Sequence, residues 1–333
     1  FTTVFHNDST GYAGTQVKYN SSGTLQWQRK LVSPGSSVYN NGGNTTDSSG
    51  NSYYAGYYYN SNNGQDAYLV KYNSSGTIQW QRTLYDSHAA GSRNTKVNAG
   101  VACDTSNNLI VGGRFYNSSN GYYGFVAKYN SSGTIQWQKY ISSTKTAATN
   151  STGANAVQTD SSNNIYVLGN ASDGGSLDGG YSVFLIKFDS SGTVQWQRNI
   201  NSIYNSNIDS NQVLVDSSGN VFVLINISDG TYQLAIILKY NSSGTLQWSR
   251  KIYGNTGLDL YPRVLSIDSS TGYIHLDSIF PNSAGGYNSL QLLLPPAVDN
   301  YGTYTITSGK VIKIANTSVT DASGVMTVGA GPL

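Results

Sequence analysis

Apolar and polar residues alternate along this chain in short runs, and tight clusters of Asp, Asn, Ser and Gly separate the runs. Residues 96–103 alternate as a half-buried strand does, and Asp104-Thr-Ser-Asn-Asn then turns the chain. A second run covers 109–115, and after a loop of Tyr, Asn and Gly a third covers 123–129. Asn130-Ser-Ser-Gly makes the next turn, and 135–141 closes the group. Asn-Ser-Ser-Gly suits a type I turn in which the Asn side chain caps the backbone and Gly takes the left-handed position. Val, Ile, Tyr and Trp between such turns are strand formers. The pattern predicts four antiparallel strands here.

The group repeats. Val17-Lys-Tyr-Asn-Ser-Ser-Gly-Thr-Leu-Gln-Trp-Gln-Arg29 returns at 70–82, 127–139, 186–198 and 238–250. It holds all five tryptophans, Trp27, Trp80, Trp137, Trp196 and Trp248, at spacings of 53, 57, 59 and 52. Between the copies lies a second signature, apolar-x-Asp-Ser-Ser-Gly/Asn-Asn-apolar, at Asp47, Asp104, Asp160, Asp216 and, degraded, at Asp268. Four antiparallel strands at a period near 55 describe a propeller blade; solenoid coils are shorter. The expected fold is an all-β propeller in one domain.

The ends shape the count. The chain starts inside a repeat, with strands expected at 2–6, 14–19 and 25–31. A worn copy of the first signature runs from Leu292 through Asp299-Asn-Tyr-Gly-Thr to Ile306. The segment 318–329 matches the Asp-turn signature that the first repeat lacks. A C-terminal strand that completes the N-terminal blade closes the ring and removes both sheet edges. Six blades follow, at 1–37 with 317–329, 38–90, 91–148, 149–205, 206–256 and 257–309; separate terminal sheets make seven. Residues 310–315 read as an extra strand.

The pairing of Asp216-Ser-Ser-Gly-Asn-Val-Phe-Val with Lys239-Tyr-Asn-Ser-Ser-Gly-Thr-Leu-Gln-Trp resembles the bacterial seven-bladed-propeller repeats of SBBP type. Tyr-Asn-Ser-Ser-Gly-Thr-Ile-Gln-Trp-Gln-Arg is also similar to repeats in virion structural proteins of marine and cyanobacterial bacteriophages, as is the tail from Thr317. The resemblance covers nearly the whole chain. It implies a virion protein of tail, fibre or capsid-associated type, with other virion subunits as partners and no catalytic motif.

Composition narrows the chemistry. Of 333 residues only 11% are charged, all 17 acids are Asp, and 37 Gly and 27 Tyr stand beside 19 Lys and Arg. Asp, Asn, Ser, Gly and aromatic residues belong to turns and strands, which argues against a helical or α/β enzyme. A net charge of +2 provides no concentrated patch for nucleic acid. No apolar run is long enough for a membrane span. Cys103 is a lone thiol at an apolar strand position, expected to be inert. The first residue is Phe1, so a processed product or the ordered part of something longer is expected.

Each Trp-x-Arg/Lys pair shares one strand face; because it recurs in every repeat, it reads as packing between blades rather than a sugar platform. The Asp-turns offer one carboxylate each, too few for calcium, so the Asp caps its own turn. Asn20, Asn73, Asn130 and Asn241 are sequons, but each already holds a turn. His6, His88 and His275 are scattered and no nucleophile elbow occurs, so the chain reads as non-enzymatic, without metal or cofactor. Asp173 with Asp178 is the one carboxylate pair considered for glycoside hydrolysis, in a secreted propeller hydrolase.

The variable parts are the loops at the other ends of the strands: 57–66, 85–93, 116–123 and 172–181. Their Tyr, Asn, Ser and Gly make adaptable recognition surfaces. Candidate ligand-binding residues are Tyr57, Tyr58, Tyr59, Asn62, Asp66, His88, Arg93, Tyr116, Tyr122, Asp173, Asp178, Tyr181, Tyr232 and Tyr287. The reading is a virion propeller whose loop face binds a host-surface glycan or protein. The alternatives are a spacer subunit without host contact and a protein secreted or held at the bacterial surface.

Overall fold

The computed structural model describes residues 2–8, 11–32, 37–39, 43–60, 64–85, 94–117, 121–143, 150–172, 181–201, 208–254, 258–281, 285–296, 302–305, 311–316, 320–323 and 326–330. Among them there is no helix. Six antiparallel units follow one another. The first is β1 (Thr2–Asp8), β2 (Gly11–Tyr19) and β3 (Leu25–Leu31). The second has β4 (Val38–Tyr39) and β5 (Asn44–Thr46), both paired with β6 (Ser52–Tyr59), then β7 (Gln65–Tyr72) and β8 (Ile78–Leu84).

Three four-stranded units come next. The third is β9 (Thr95–Cys103), β10 (Leu109–Asn117), β11 (Gly121–Tyr129) and β12 (Ile135–Ser143). The fourth is β13 (Asn150–Thr159), β14 (Ile165–Ser172), β15 (Tyr181–Phe188) and β16 (Val194–Asn201). The fifth is β17 (Ile208–Val215), β18 (Val221–Ser228), β19 (Gln233–Tyr240) and β20 (Leu246–Gly254). The sixth has β21 (Tyr261–Ile267), β22 (Ile274–Pro281) and β23 (Tyr287–Leu294).

Apolar side chains of each unit meet those of the next. Tyr54, Tyr68 and Val70 pack under Trp27; Tyr53 and Leu69 meet Val97 and Val111; Val126 and Ile141 meet Val167 and Phe184. Leu168 and Leu185 meet Val223 and Ile236, and Leu224 and Ile237 meet Leu265 and Leu276. Sheets stacked face to face in this way bury both faces of the middle strands, which is why β7 is buried along its whole length.

The repeated turns do more than reverse the chain: they lock neighbouring units together. A bulge after Lys71 sets that residue directly opposite Trp80. Trp80 Nε1–H and Lys71 Nζ then both donate to Ser131 O in the next unit's turn, at 3.1 and 2.9 Å, and Arg82 Nε–H donates to Gly133 O at 2.9 Å. Trp27, Trp137 and Trp196 repeat the bond to Ser74, Ser190 and Ser242. The ring of Trp80 lies flat on Gly133, where an added Cβ would come within 2.8 Å of it. Gly133 also has φ 78°, so the position needs glycine twice over.

The Asp-turns link units as well. Asp104 Oδ1 accepts from the Ser106 and Asn108 backbone N–H groups, and Lys128 pairs with Oδ2 at 2.9 Å. Asn107, at φ 61°, offers its Oδ1 back to Ser48 of the preceding unit, and Asn163 does the same for Thr105.

The C-terminal segments do not close a ring. They are β24 (Gly302–Thr305), β25 (Val311–Asn316), β26 (Thr320–Ser323) and β27 (Met326–Ala330). β25 pairs with β20, β26 with β16 and β27 with β12, each as a fifth strand, and β24 adds a sixth beyond β25. The expectation that 317–329 completes the first unit is therefore corrected: that unit keeps three strands, and the tail runs back over the outer edges of units five, four and three. The expected fourth strand of the sixth unit is corrected too, because β24 pairs with β25 and not with β23. Pro295 and Pro296 stand where the other units have their Asn-Ser-Ser-Gly turn, and a proline cannot donate to a ladder. Among the described residues no strand pairing joins the first unit to the sixth.

Candidate binding site on the loop face

Antiparallel meanders place the Asp-turns and Asn-Ser-Ser-Gly turns at one end of the strands and the remaining loops at the other. At that second end, units two and three bring together five tyrosines and two cations. β6 ends in Tyr57-Tyr-Tyr59, and alternation sends Tyr57 and Tyr59 to one side and Tyr58 to the other. Tyr39 of β4 is the register partner of Tyr57; their rings stack at 4.9 Å and 8°, with Tyr59 edge-on to both. Burial, together with Tyr59 and Tyr39, raises the Tyr57 pKa against the opposing charge of Arg114.

In unit three, Tyr116 and Tyr122 are register partners 5.1 Å apart, and the Arg114 guanidinium sits 4.8 Å from the Tyr122 ring. Directly across from Arg114 on the innermost strand is Lys96, whose Nζ lies 4.7 Å from the Tyr57 ring. That register depends on a bulge at Gly112/Gly113. A side chain at Gly113 would collide with the Lys96 carbonyl, so glycine permits the close approach.

Both cations are half-buried, and neither forms an ion pair with a described residue. Arg114 Nε is buried with no hydrogen-bond acceptor among the described residues. Burial and then the Arg114 charge lower the Lys96 pKa. Like charges placed opposite each other on neighbouring strands cost stability. Stacked tyrosine faces beside two cations that no described carboxylate pairs can hold a flat, partly apolar ligand that carries negative charge.

The other sequence-derived candidates lie elsewhere. Tyr58 turns away and lines a groove of 410 Å³ between units one and two, with Leu31, Val38 and Arg82. Asp66 is buried and accepts from Asn60 Nδ2 at 3.1 Å, so it fastens its own loop. Tyr232 lies in a turn held by Asp229, and Tyr287 meets Tyr261 edge-on at 6.1 Å in the sixth unit. The backbone of Tyr181 pairs with Ser172. Asn62, His88, Arg93, Asp173 and Asp178 lie outside the described residues. Tyr39, Lys96 and Arg114 went unnoticed in the sequence. Their signal was available, since Lys96 and Arg114 fall outside the repeated Lys-Tyr and Trp-x-Arg/Lys positions.

The remaining titratable groups are structural. The five repeat tryptophans face neighbouring units or their own cation, and Trp248 meets Phe222 at 6.1 Å. Burial, with Asp47 nearby, pushes the Cys103 thiol up to about 12, so it is a poor nucleophile at neutral pH. Among the described residues no three His, Cys or Asp side chains gather as a metal site.

Several solved structures are similar to this chain. A protein of unknown function from Dyadobacter fermentans matches with a TM-score of 0.44 and 11% identity, over 82% of this chain and 94% of that one. An ulvan lyase of polysaccharide lyase family PL25 matches at 0.39 and 10%, over 77% and 70%. An endo-arabinase from Bacteroides thetaiotaomicron matches at 0.35 and 9%, over 78% and 94%. Two of these three are polysaccharide-degrading enzymes, so the expectation of a non-enzymatic chain is withdrawn, although no activity transfers at such identities. No curated protein matches. A family model described as outer membrane protein assembly factor BamB matches residues 13–279, in place of the seven-bladed repeats and virion proteins that the motifs resemble. The chain thus belongs to the BamB family of β-propellers.

Proposed function

We propose that the chain is a six-bladed propeller that binds a surface saccharide on its loop face, at the aromatic cluster of units two and three. The observation that carries this reading is the group Tyr39, Tyr57, Tyr59, Tyr116 and Tyr122, gathered from two units at one end of the strands. Tyrosines stacked on each other leave ring faces and hydroxyls at the rim, which suit the apolar faces and hydroxyl edges of a pyranose. In this reading the uniform turn face is free to pack on other subunits.

The test is an array of surface glycans probed with the full chain and with Tyr59→Ala, Tyr122→Ala and Gln26→Ala. Binding that falls about tenfold or more with either tyrosine variant is expected, as for aromatic contacts at a binding site, while Gln26→Ala on the turn face leaves it unchanged. The same incubations are read by chromatography for shortening of the bound saccharide. Retention of full binding by both tyrosine variants, or binding to protein alone, would overturn the proposal.

A further inference from the structure

Resting on that reading, we infer that the saccharide bound there is acidic, its carboxylate or sulfate group lying between Lys96 and Arg114. Three features of the site converge on this chemistry. The two cations are directly opposite in register on β9 and β10, at the loop-face ends of those strands. Neither is neutralised by a described carboxylate, and Arg114 Nε is buried with its proton unused. Each also lies beside a different tyrosine of the cluster, Lys96 on Tyr57 and Arg114 on Tyr122, so an anion between them sits among the rings.

The contrast with the other cations of the chain is direct. Lys71, Lys128, Arg29 and Arg82 each donate to a turn carbonyl of the neighbouring unit, and the two lysines also pair with an Asp. Their charge is spent on holding the units together. Lys96 and Arg114 lie on tyrosine rings instead, and their charges, facing each other across the strands, oppose folding. An oxyanion placed between them accepts from both, and a guanidinium offers two parallel donors to a carboxylate or sulfate. A polyanion such as nucleic acid needs a run of cations, and two is too few. The flanking rings therefore point to a sugar carrying an acid group.

The experiment is titration calorimetry of the full chain with four probes: a sulfated oligosaccharide, a uronic-acid oligosaccharide of equal length, its neutral counterpart, and inorganic sulfate. The two acidic oligosaccharides are expected to bind about tenfold tighter than the neutral one, as suits one charge-assisted contact. The two acidic arms show which group is preferred. Lys96→Gln and Arg114→Gln should each abolish that preference, and added salt should weaken only the acidic probes. Equal binding of neutral and acidic oligosaccharides, or a preference that survives both substitutions, overturns the acidic assignment but leaves saccharide binding standing. Inorganic sulfate binding as tightly as the oligosaccharides reduces the pair to a simple anion site and overturns it too. Failure of every oligosaccharide sinks both proposals together.

Discussion

The two ends of the strands use the same kinds of residue for opposite purposes. At the turn end, Trp, Lys and Arg of one unit reach the turn carbonyls of the next, and each Asp is saturated by its own turn. At the loop end, Tyr, Lys and Arg collect on one another's rings, and two cations face each other. A cation stabilises where a carbonyl or carboxylate awaits it and destabilises where another cation does. The turn end therefore sets the stability of the fold, and the opposed cations of the loop end lower it.

The comparison breaks most severely at the latch. Trp80→Ala removes a buried ring and its bond to Ser131, and a loss of about 3–5 kcal/mol is expected from a urea unfolding curve. Tyr59→Ala at the loop end, where the ring is 39% exposed, should cost less than about 1 kcal/mol by the same measurement. Gly133→Ala ranks next, because the new methyl meets the Trp80 ring and the backbone is left-handed. A cost of about 2–3 kcal/mol is expected. Equal effects at the two ends would remove the distinction.

Acid should attack the turn end selectively. Burial alone would raise the pKa of Asp47, Asp104 and Asp160, but hydrogen bonds from Asn51, Asn108 and Asn164 and other partners outweigh it, and all three are lowered from 3.8. Below 3.8 the unfolded chain takes up protons that the folded one refuses, so stability present above that value is lost as pH falls through the folded values. Thermal midpoints measured from pH 6 downward should therefore fall steeply in acid. Asp104→Asn should flatten the decline, since its carboxylate carries both the turn and Lys128.

Much of the turn end was legible in the sequence because Asp104-Thr-Ser-Asn-Asn and Asn130-Ser-Ser-Gly are local: a side chain caps a backbone two to four residues away. Alternation then fixed which strand residues face a neighbouring unit. The tail was not legible. β12, β16 and β20 share their Gln-Trp motif with β3 and β8, so nothing in the sequence says which edges β25, β26 and β27 will cover. Lys96 and Arg114 were hidden for a different reason. They are cross-strand partners only because a bulge at Gly112/Gly113 shifts the register by two residues, and bulges have no sequence signature beyond the glycines themselves.

The smallest expected effect gives the sharpest discrimination, because its sign is unusual. Lys96→Met keeps the aliphatic stem over Tyr57 and removes one of two opposed charges. It should stabilise the protein by about 0.5–1 kcal/mol, the scale of a cross-strand like-charge pair. Lys71→Met at the turn end should destabilise it, because Ser131 O and Asp47 lose a donor. The pH dependence supplies a second check on Lys96. Burial, then Arg114, holds its folded pKa below 10.5, so between the folded value and 10.5 the unfolded chain keeps a proton that the folded chain has released. Stability should therefore rise with pH across that window, and the rise should vanish in Lys96→Met and shrink in Arg114→Met. If Lys96→Met instead destabilises the fold as Lys71→Met does, the lysine is one more latch, and the two ends of the molecule are not different in kind.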